Sequence, residues 1–314
     1  SRESPNFYTF SSEVMVNDPN THWRGFIWLI LGLPTSLLCM IAGLNYSVDP
    51  QWTFPREAAW GKFQKGFDER QQKTNALEFL EHRFDGLVLG NSRVTYMDPG
   101  HYPGRAFNYS SSSMKPEEYL AYADHFAARS GEPTRIILGE SFVATNANAD
   151  STAMPPQFYF ERASTPLYRF RSLFSIDLLE QSIETLKRNH RHNSHQSYIR
   201  EGMTIASKRM TMPRPPAELA RRIKGNLSVY RRKAYGRYGY RSQAPHYAAL
   251  KDRFPNADLF VYTTPVSAHL LKLLVQSDLV EPYLTWLRDL VKSVGPVWHF
   301  MTFNTVTNND RYFA

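Results

Sequence analysis

The segment Gly86-Leu-Val-Leu-Gly-Asn-Ser-Arg-Val94 places a serine directly after a short apolar run. Such a run, closed by a glycine, reads as a buried strand entering a tight loop. In doubly wound α/β folds, ligands bind beyond the carboxyl ends of the strands. A serine at that place can act as a nucleophile, and nearby backbone N–H groups can stabilise the oxyanion of an acyl-transfer step. Ser92 is therefore the candidate nucleophile, with Asn91 beside it. The plain alternative is that Ser92 caps the next helix, and Gly-x-Ser alone does not separate the two.

Other chemistry-bearing residues are fewer. His269 follows a later apolar run and either faces the same cleft or starts a helix. His190, His192 and His195 cluster in a basic stretch. No cysteine or carboxylate at ligand spacing accompanies them, so they read as a solvated loop and not a metal site. Neither a metal nor a cofactor is expected. The single cysteine, Cys39, excludes an intramolecular disulfide framework. Tyr230 to Tyr240 (YRRKAYGRYGY) interleaves arginine with tyrosine. Behind a membrane anchor that composition suits a lipid–water, glycan or protein interface better than nucleic acid, so no nucleic-acid partner is expected.

The 314 residues include 42% apolar side chains and carry a net charge of +8, the profile of a globular protein. The charge is uneven: Phe160 to Arg241 holds 18 Lys+Arg against 6 Asp+Glu. This basic stretch calls for anionic partners such as glycans or lipid headgroups. Between Arg24 and Asp49 lie 24 residues without a charge. Gly25 to Leu44 matches the roughly 20 residues that cross a bilayer core as a helix. Trp23 and Trp28 flank one end, and Tyr46 and Trp52 the other, as interfacial aromatics. The run is long for a signal peptide and has no clear cleavage site; Leu38 before Cys39 disfavours a lipoprotein. Lys and Arg on the two sides do not decide orientation.

Beyond the span, Tyr46 to Phe67 reads as a surface-hugging linker and Asp68 to Arg83 as a helix. Short strands are expected at Gly86–Gly90, Ala106–Tyr109, Arg135–Gly139, Leu259–Thr263 and Val297–Met301. Helices are expected at Lys115–Ala128, Ser267–Gln276 and Glu281–Val294. This alternation predicts a parallel sheet with helices on both faces. The basic stretch, about 160–240, breaks the alternation as a mostly helical insertion, with helices at Ile176–Leu186 and Pro216–Tyr230. The organisation expected is a tail at 1–24, a transmembrane helix at 25–48 and an α/β domain at 49–314.

Gly90-Asn91-Ser92 after the first strand resembles the first block, Gly-Asp-Ser, of the SGNH-hydrolase superfamily. More closely, the chain resembles membrane-anchored SGNH-like proteins of bacterial exopolysaccharide or envelope acylation. Asn45-Tyr-Ser-Val-Asp49-Pro50, Ala106-Phe-Asn108, Ile136-Ile-Leu-Gly139 and Phe300 to Thr305 carry the rest of the likeness. The resemblance implies an SGNH-like (flavodoxin-like) sheet, with Ser92 as nucleophile. It also implies oxyanion or substrate contacts at Asn91, Asn108 and Gly139. The last block, Asp-x-x-His, supplies the base in that family. Ser1 is not a methionine and Ala314 falls where that block would begin, so a longer product is expected, with the base just beyond Ala314. The only internal Asp-x-x-His, Asp98 to His101, is misplaced for the role. The chain departs from the pattern with Asn91 for the first-block Asp and Glu140-Ser141 in the third block. The resemblance further implies a single-pass bacterial inner-membrane protein, a periplasmic domain and a polytopic acyltransferase partner. Two functions follow: acyl transfer or ester hydrolysis on a cell-surface polysaccharide, with O-acetyl first, or an inactive scaffold subunit of a membrane complex.

Overall fold

The computed structural model describes residues 19–55, 66–79, 83–102, 104–149, 154–190, 197–198, 200, 204–205 and 214–313. Helix α1, Pro19–Val48, carries the charge-free run. Its Gly25–Val48 stretch has a mean hydropathy of 2.1 and is long and apolar enough to cross a membrane. From Gly25 to Leu44 most side chains are exposed, over a length of about 30 Å. Within this run Thr35 and Ser36 donate their hydroxyls to the carbonyls of Leu31 and Gly32, one turn back. That leaves neither hydroxyl unpaired in an apolar setting.

The helix ends in a polar lock. Asn45 is fully buried. Its amide donates to the carbonyls of Leu173 (2.8 Å) and Ser175 (3.3 Å), and its Oδ1 accepts from the Ser182 hydroxyl at 2.8 Å. Asp49 accepts from the backbone of Thr53 and Phe54 and pairs with Arg200 at 2.7 Å. The expected surface linker is therefore, over Val48–Phe54, a buried clasp. Trp52 is wholly buried in the core and is not an interfacial aromatic. Residues 56–65 of that linker lie outside the described residues.

Helix α2, Glu69–Phe79, explains the burial. Every residue from Arg70 to Leu77 is buried, most of them polar. Gln72 and Asn75 donate to the carbonyls of Pro50 and Gln51 and so hold the clasp. Arg70 forks onto Glu118, and Lys73 bonds the Ser110 carbonyl and pairs with Glu69. Burial works against the Lys73 charge and pulls its pKa down. Buried polar groups persist only when bonded, and these are.

Five strands form one parallel sheet: β1 Gly86–Gly90, β2 Ala106–Asn108, β3 Arg135–Glu140, β4 Asp258–Thr263 and β5 Val297–His299. Their order is 2-1-3-4-5, a doubly wound order of the flavodoxin type. Each expected strand exists: Gly86–Gly90 has the expected bounds, and the other four have one end moved by one or two residues. One face, through Leu87, Leu89, Phe107, Ile136, Leu138 and Val261, builds the main core. Helices α3 (Pro116–Ser130), α8 (Ala244–Arg253), α9 (Ala268–Gln276) and α10 (Val280–Val294) supply its other half. The remaining helices precede α8: α4 (Pro156–Ser164), α5 (Tyr168–Ser172), α6 (Ile176–His190) and α7 (Pro216–Val229). The basic insertion is thus mostly helical where described, with one short antiparallel pair, Ser197–Tyr198 against Thr204–Ile205.

The opposite face corrects the expectation of helices on both sides. Val88, Ala106, Ile137 and Tyr262 meet Val94, Met97 and Tyr102 of the β1–β2 connection. Residues 91–105 hold turns and one 3-10 turn, Pro99–His101, among the described residues. Pro99, Gly100, Pro103 and Gly104 in so short a segment oppose an α-helix. Phe260 and Trp298 on this face remain exposed and stack on each other at 5.9 Å.

Gly90 and Gly139 face each other across β1 and β3. Gly90 sits at a φ of +150°, and a Cβ there would lie 2.5 Å from Val94 Cγ2. A Cβ on Gly139 would lie 2.3 Å from the same methyl and 2.6 Å from the Tyr262 hydroxyl. The paired glycines form a notch that Val94 fills. Gly139→Ala is expected to destabilise the full chain in detergent by roughly 1–3 kcal/mol in urea unfolding. The same change in a Val94→Ala background should cost less, because one of the two clashes is gone.

Candidate active site at the end of the sheet

Connections leave β1 toward β2 on one side and reach β3 on the other. The crevice between β1 and β3 is therefore the switch point, where doubly wound folds bind ligands. Asn91, Ser92 and Arg93 leave β1 there, and Ser141 leaves β3.

Asn91 starts the loop. Its side-chain oxygen accepts from the Arg93 N–H at 3.1 Å, and its carbonyl accepts from the Val94 N–H at 2.8 Å. Ser92 stands exposed at the apex of this turn. The residues after it are turns and not a helix, so Ser92 is not an α-helix cap. Arg93 donates to the Ser141 hydroxyl at 2.9 Å and to the Tyr230 hydroxyl, and its guanidinium lies 5.9 Å from the Tyr230 ring. Among the described residues no carboxylate pairs with Arg93. A half-buried cation thus sits beside the candidate nucleophile, where it can stabilise negative charge on a bound acyl or anionic group.

The other expected site residues fall differently. Asn108 is wholly buried at the end of β2. Its amide donates to the carbonyls of Val94 and Met97 at 3.0 Å each, and its oxygen accepts from Ser110. This side chain shapes the 91–105 loop and has no spare N–H for an oxyanion. Gly139 forms the notch under Val94. Neither was legible as a loop-shaping residue without the strand pairing.

A cavity of about 190 Å3 opens beside Arg93, lined also by Ile223, Leu227, Tyr230, Leu270 and Phe313. Phe313 brings the last described residues of the chain to this place. A wider groove of about 740 Å3 shares Ile223 and Leu227 and adds Lys224, Arg231, Arg232, His269 and Asp310. His269 lies 3.1 Å from Asp310. The His192 and His195 of the histidine cluster lie outside the described residues. Among the described residues no group of three or more His, Cys, Asp or Glu is placed to hold a metal.

The Arg/Tyr-rich stretch also departs from its reading as a surface. Tyr230–Tyr235 forms a π-helical turn after α7. Tyr230, Tyr235, Tyr238 and Tyr240 pack on the main core, and Phe142 stacks on Tyr238 at 5.1 Å. Arg231, Arg232, Lys233 and Arg237 face outward. Sequence reasoning missed Arg93, Ser141 and Tyr230 as a linked group. Arg93 adjoins Ser92 and was open to inspection; Tyr230 reaches it from 137 residues away.

Glu140, at the end of β3, points into the core. It accepts from the Tyr247 hydroxyl at 2.6 Å, and Tyr119 lies against the same carboxyl. Burial raises its pKa to about 7, and the two tyrosine hydrogen bonds only partly offset that. It is enclosed away from Ser92's solvent-exposed turn and is not its base.

Compared with known proteins, the chain matches no family model, no curated protein and no solved structure.

Because the folded pKa of Glu140 lies above its unfolded value, the fold favours the protonated carboxyl. That stability is full below the unfolded pKa of 4.5 and is lost as pH rises through about 7. Glu140→Gln cannot ionise. Between pH 5 and 8 the native chain should lose about 2 kcal/mol more stability than the variant. Urea midpoints across that range check this; parallel curves for the two proteins would refute it.

Proposed function

We propose that the chain is a membrane-anchored, serine-dependent acyl-transfer protein of the kind it resembles. It would move or remove an acyl group, O-acetyl first, on a cell-surface polysaccharide. The observation that carries this reading is Ser92, exposed on a tight turn at the β1/β3 switch point beside Arg93. In the proposed reaction Ser92 Oγ attacks the ester carbonyl, and its proton passes to a base. The tetrahedral oxyanion collapses to an acyl-serine as the alcohol leaves with that proton. An acceptor hydroxyl, or water, then takes the acyl group. The Ser92 N–H serves the oxyanion in this reading, and Arg93 holds an anionic part of the substrate. The base is the histidine of the last block that the resemblance implies.

The groove with Lys224, Arg231 and Arg232 supports an anionic glycan as acceptor. The apolar helix α1 supports a membrane location; the bacterial inner membrane and a periplasmic domain are what the resemblance implies. A polytopic acyltransferase would deliver the acyl group. One observation favours the second reading, a non-catalytic scaffold: Arg93 is already bonded to Ser141 and Tyr230.

Hydrolysis of p-nitrophenyl acetate by the full-length protein in detergent separates the two. Ser92→Ala should fall to the uncatalysed background, and Arg93→Ala should lose roughly tenfold to a hundredfold. Equal turnover by the native protein and Ser92→Ala would refute the assignment. No turnover by the native protein would favour the scaffold.

A further inference from the structure

The anchor is joined to a second apolar feature. Asn45 immediately follows the apolar run and holds the carbonyls of Leu173 and Ser175. Those two residues flank Phe174. Phe174 is therefore fixed at the level where α1 leaves its apolar stretch. Leu167, Phe170, Phe174 and Ile176 are exposed by 66%, 46%, 52% and 67%. Four large apolar side chains within ten residues are more than scattered surface hydrophobes. Leu167 holds a left-handed φ of +59°, an uncommon and strained conformation for a leucine. An aromatic chain ties this patch to the helix: Tyr46 meets Phe54 at 4.8 Å, and Phe54 meets Phe170 at 6.2 Å.

The segment 161–177 carries Arg162, Arg169 and Arg171 against Glu161 and Asp177. Arg169 lies over the rings of Phe79 and Phe170, and Arg162 over Tyr168. Arginine beside exposed aromatic and aliphatic residues is the composition of a protein surface at the headgroup boundary.

We propose that α5 and its flanks form a collar that sits in the lipid headgroup region beside α1, with Leu167, Phe170, Phe174 and Ile176 inserted among the lipids. The proposal rests on α1 spanning the bilayer. Anchor and collar together give two attachments, with Asn45 as the rivet between them. The domain then stands at a fixed tilt on the membrane instead of swinging on a tether. A protein partner covering the patch is the competing occupant; the shared level with the anchor end favours lipid.

The test uses the full chain in phosphatidylethanolamine–phosphatidylglycerol vesicles. One protein carries an NBD fluorophore on the native Cys39. Two others carry it at Phe174→Cys or Lys251→Cys in a Cys39→Ser background. Lipids bear a spin label either near the headgroup or near the chain end. We expect Phe174→Cys to lose emission with the shallow label, Cys39 with the deep one, and Lys251→Cys with neither. Quenching at Cys39 but not at Phe174→Cys would overturn the collar and leave the anchor standing; protection of that site from aqueous iodide would then mark a protein partner. Quenching at neither would show that the anchor reading fails and takes the collar with it. Equal quenching at Lys251→Cys and Phe174→Cys would also overturn the collar, since contact would not be particular to this face.

Discussion

The site depends on the facing pair Gly90 and Gly139. Side chains at either position would occupy the space that Val94 fills. With both absent, the chain leaving β1 folds tightly back over the sheet. Val94 then closes the small second core, Asn91 braces the turn, and Asn108 holds the loop from β2 through the carbonyls of Val94 and Met97. Ser92 is left at the apex and Arg93 beside Ser141. One steric constraint thus sets the shape of a loop, the cover of a sheet face and the direction of two candidate site side chains.

A second set of contacts fixes the domain to the apolar helix α1. The usual driving force at such a junction would be apolar burial, yet here it is largely polar. Asn45, Asp49 and the buried polar face of α2 form a network in which most groups find partners. Such networks gain less from burial than apolar packing does, but they specify one arrangement because each unpaired group would be costly. The insertion closes the other side of the site. It turns its tyrosines into the core and lends Tyr230 to Arg93.

Apolar runs and glycine punctuation made the five strands legible, since buried parallel strands need little more. Periodicity did the same for α3 and α10. The polar helix α2 has no apolar stripe to show its burial; only its partners in the 48–54 clasp and the 110–118 region reveal why it is inside. Trp52 and the tyrosines of the Arg/Tyr-rich stretch have amphipathic side chains that suit either a surface or a core, and tertiary contacts decided for the core. Ser92 was visible as a residue after a strand. The roles of Asn108 and Gly139 were not, because loop shaping depends on pairings between distant strands. The link from Arg93 to Tyr230 joins two segments that nothing local connects.

The central claim is that Ser92 is a nucleophile. The most direct measurement is peptide mass mapping of the full-length protein after reaction with a fluorophosphonate. The account predicts a single phosphonylated peptide containing Gly90 to Arg93, with the adduct on Ser92. Modification elsewhere, with Ser92 unmodified under conditions where a serine hydrolase control reacts fully, would contradict it.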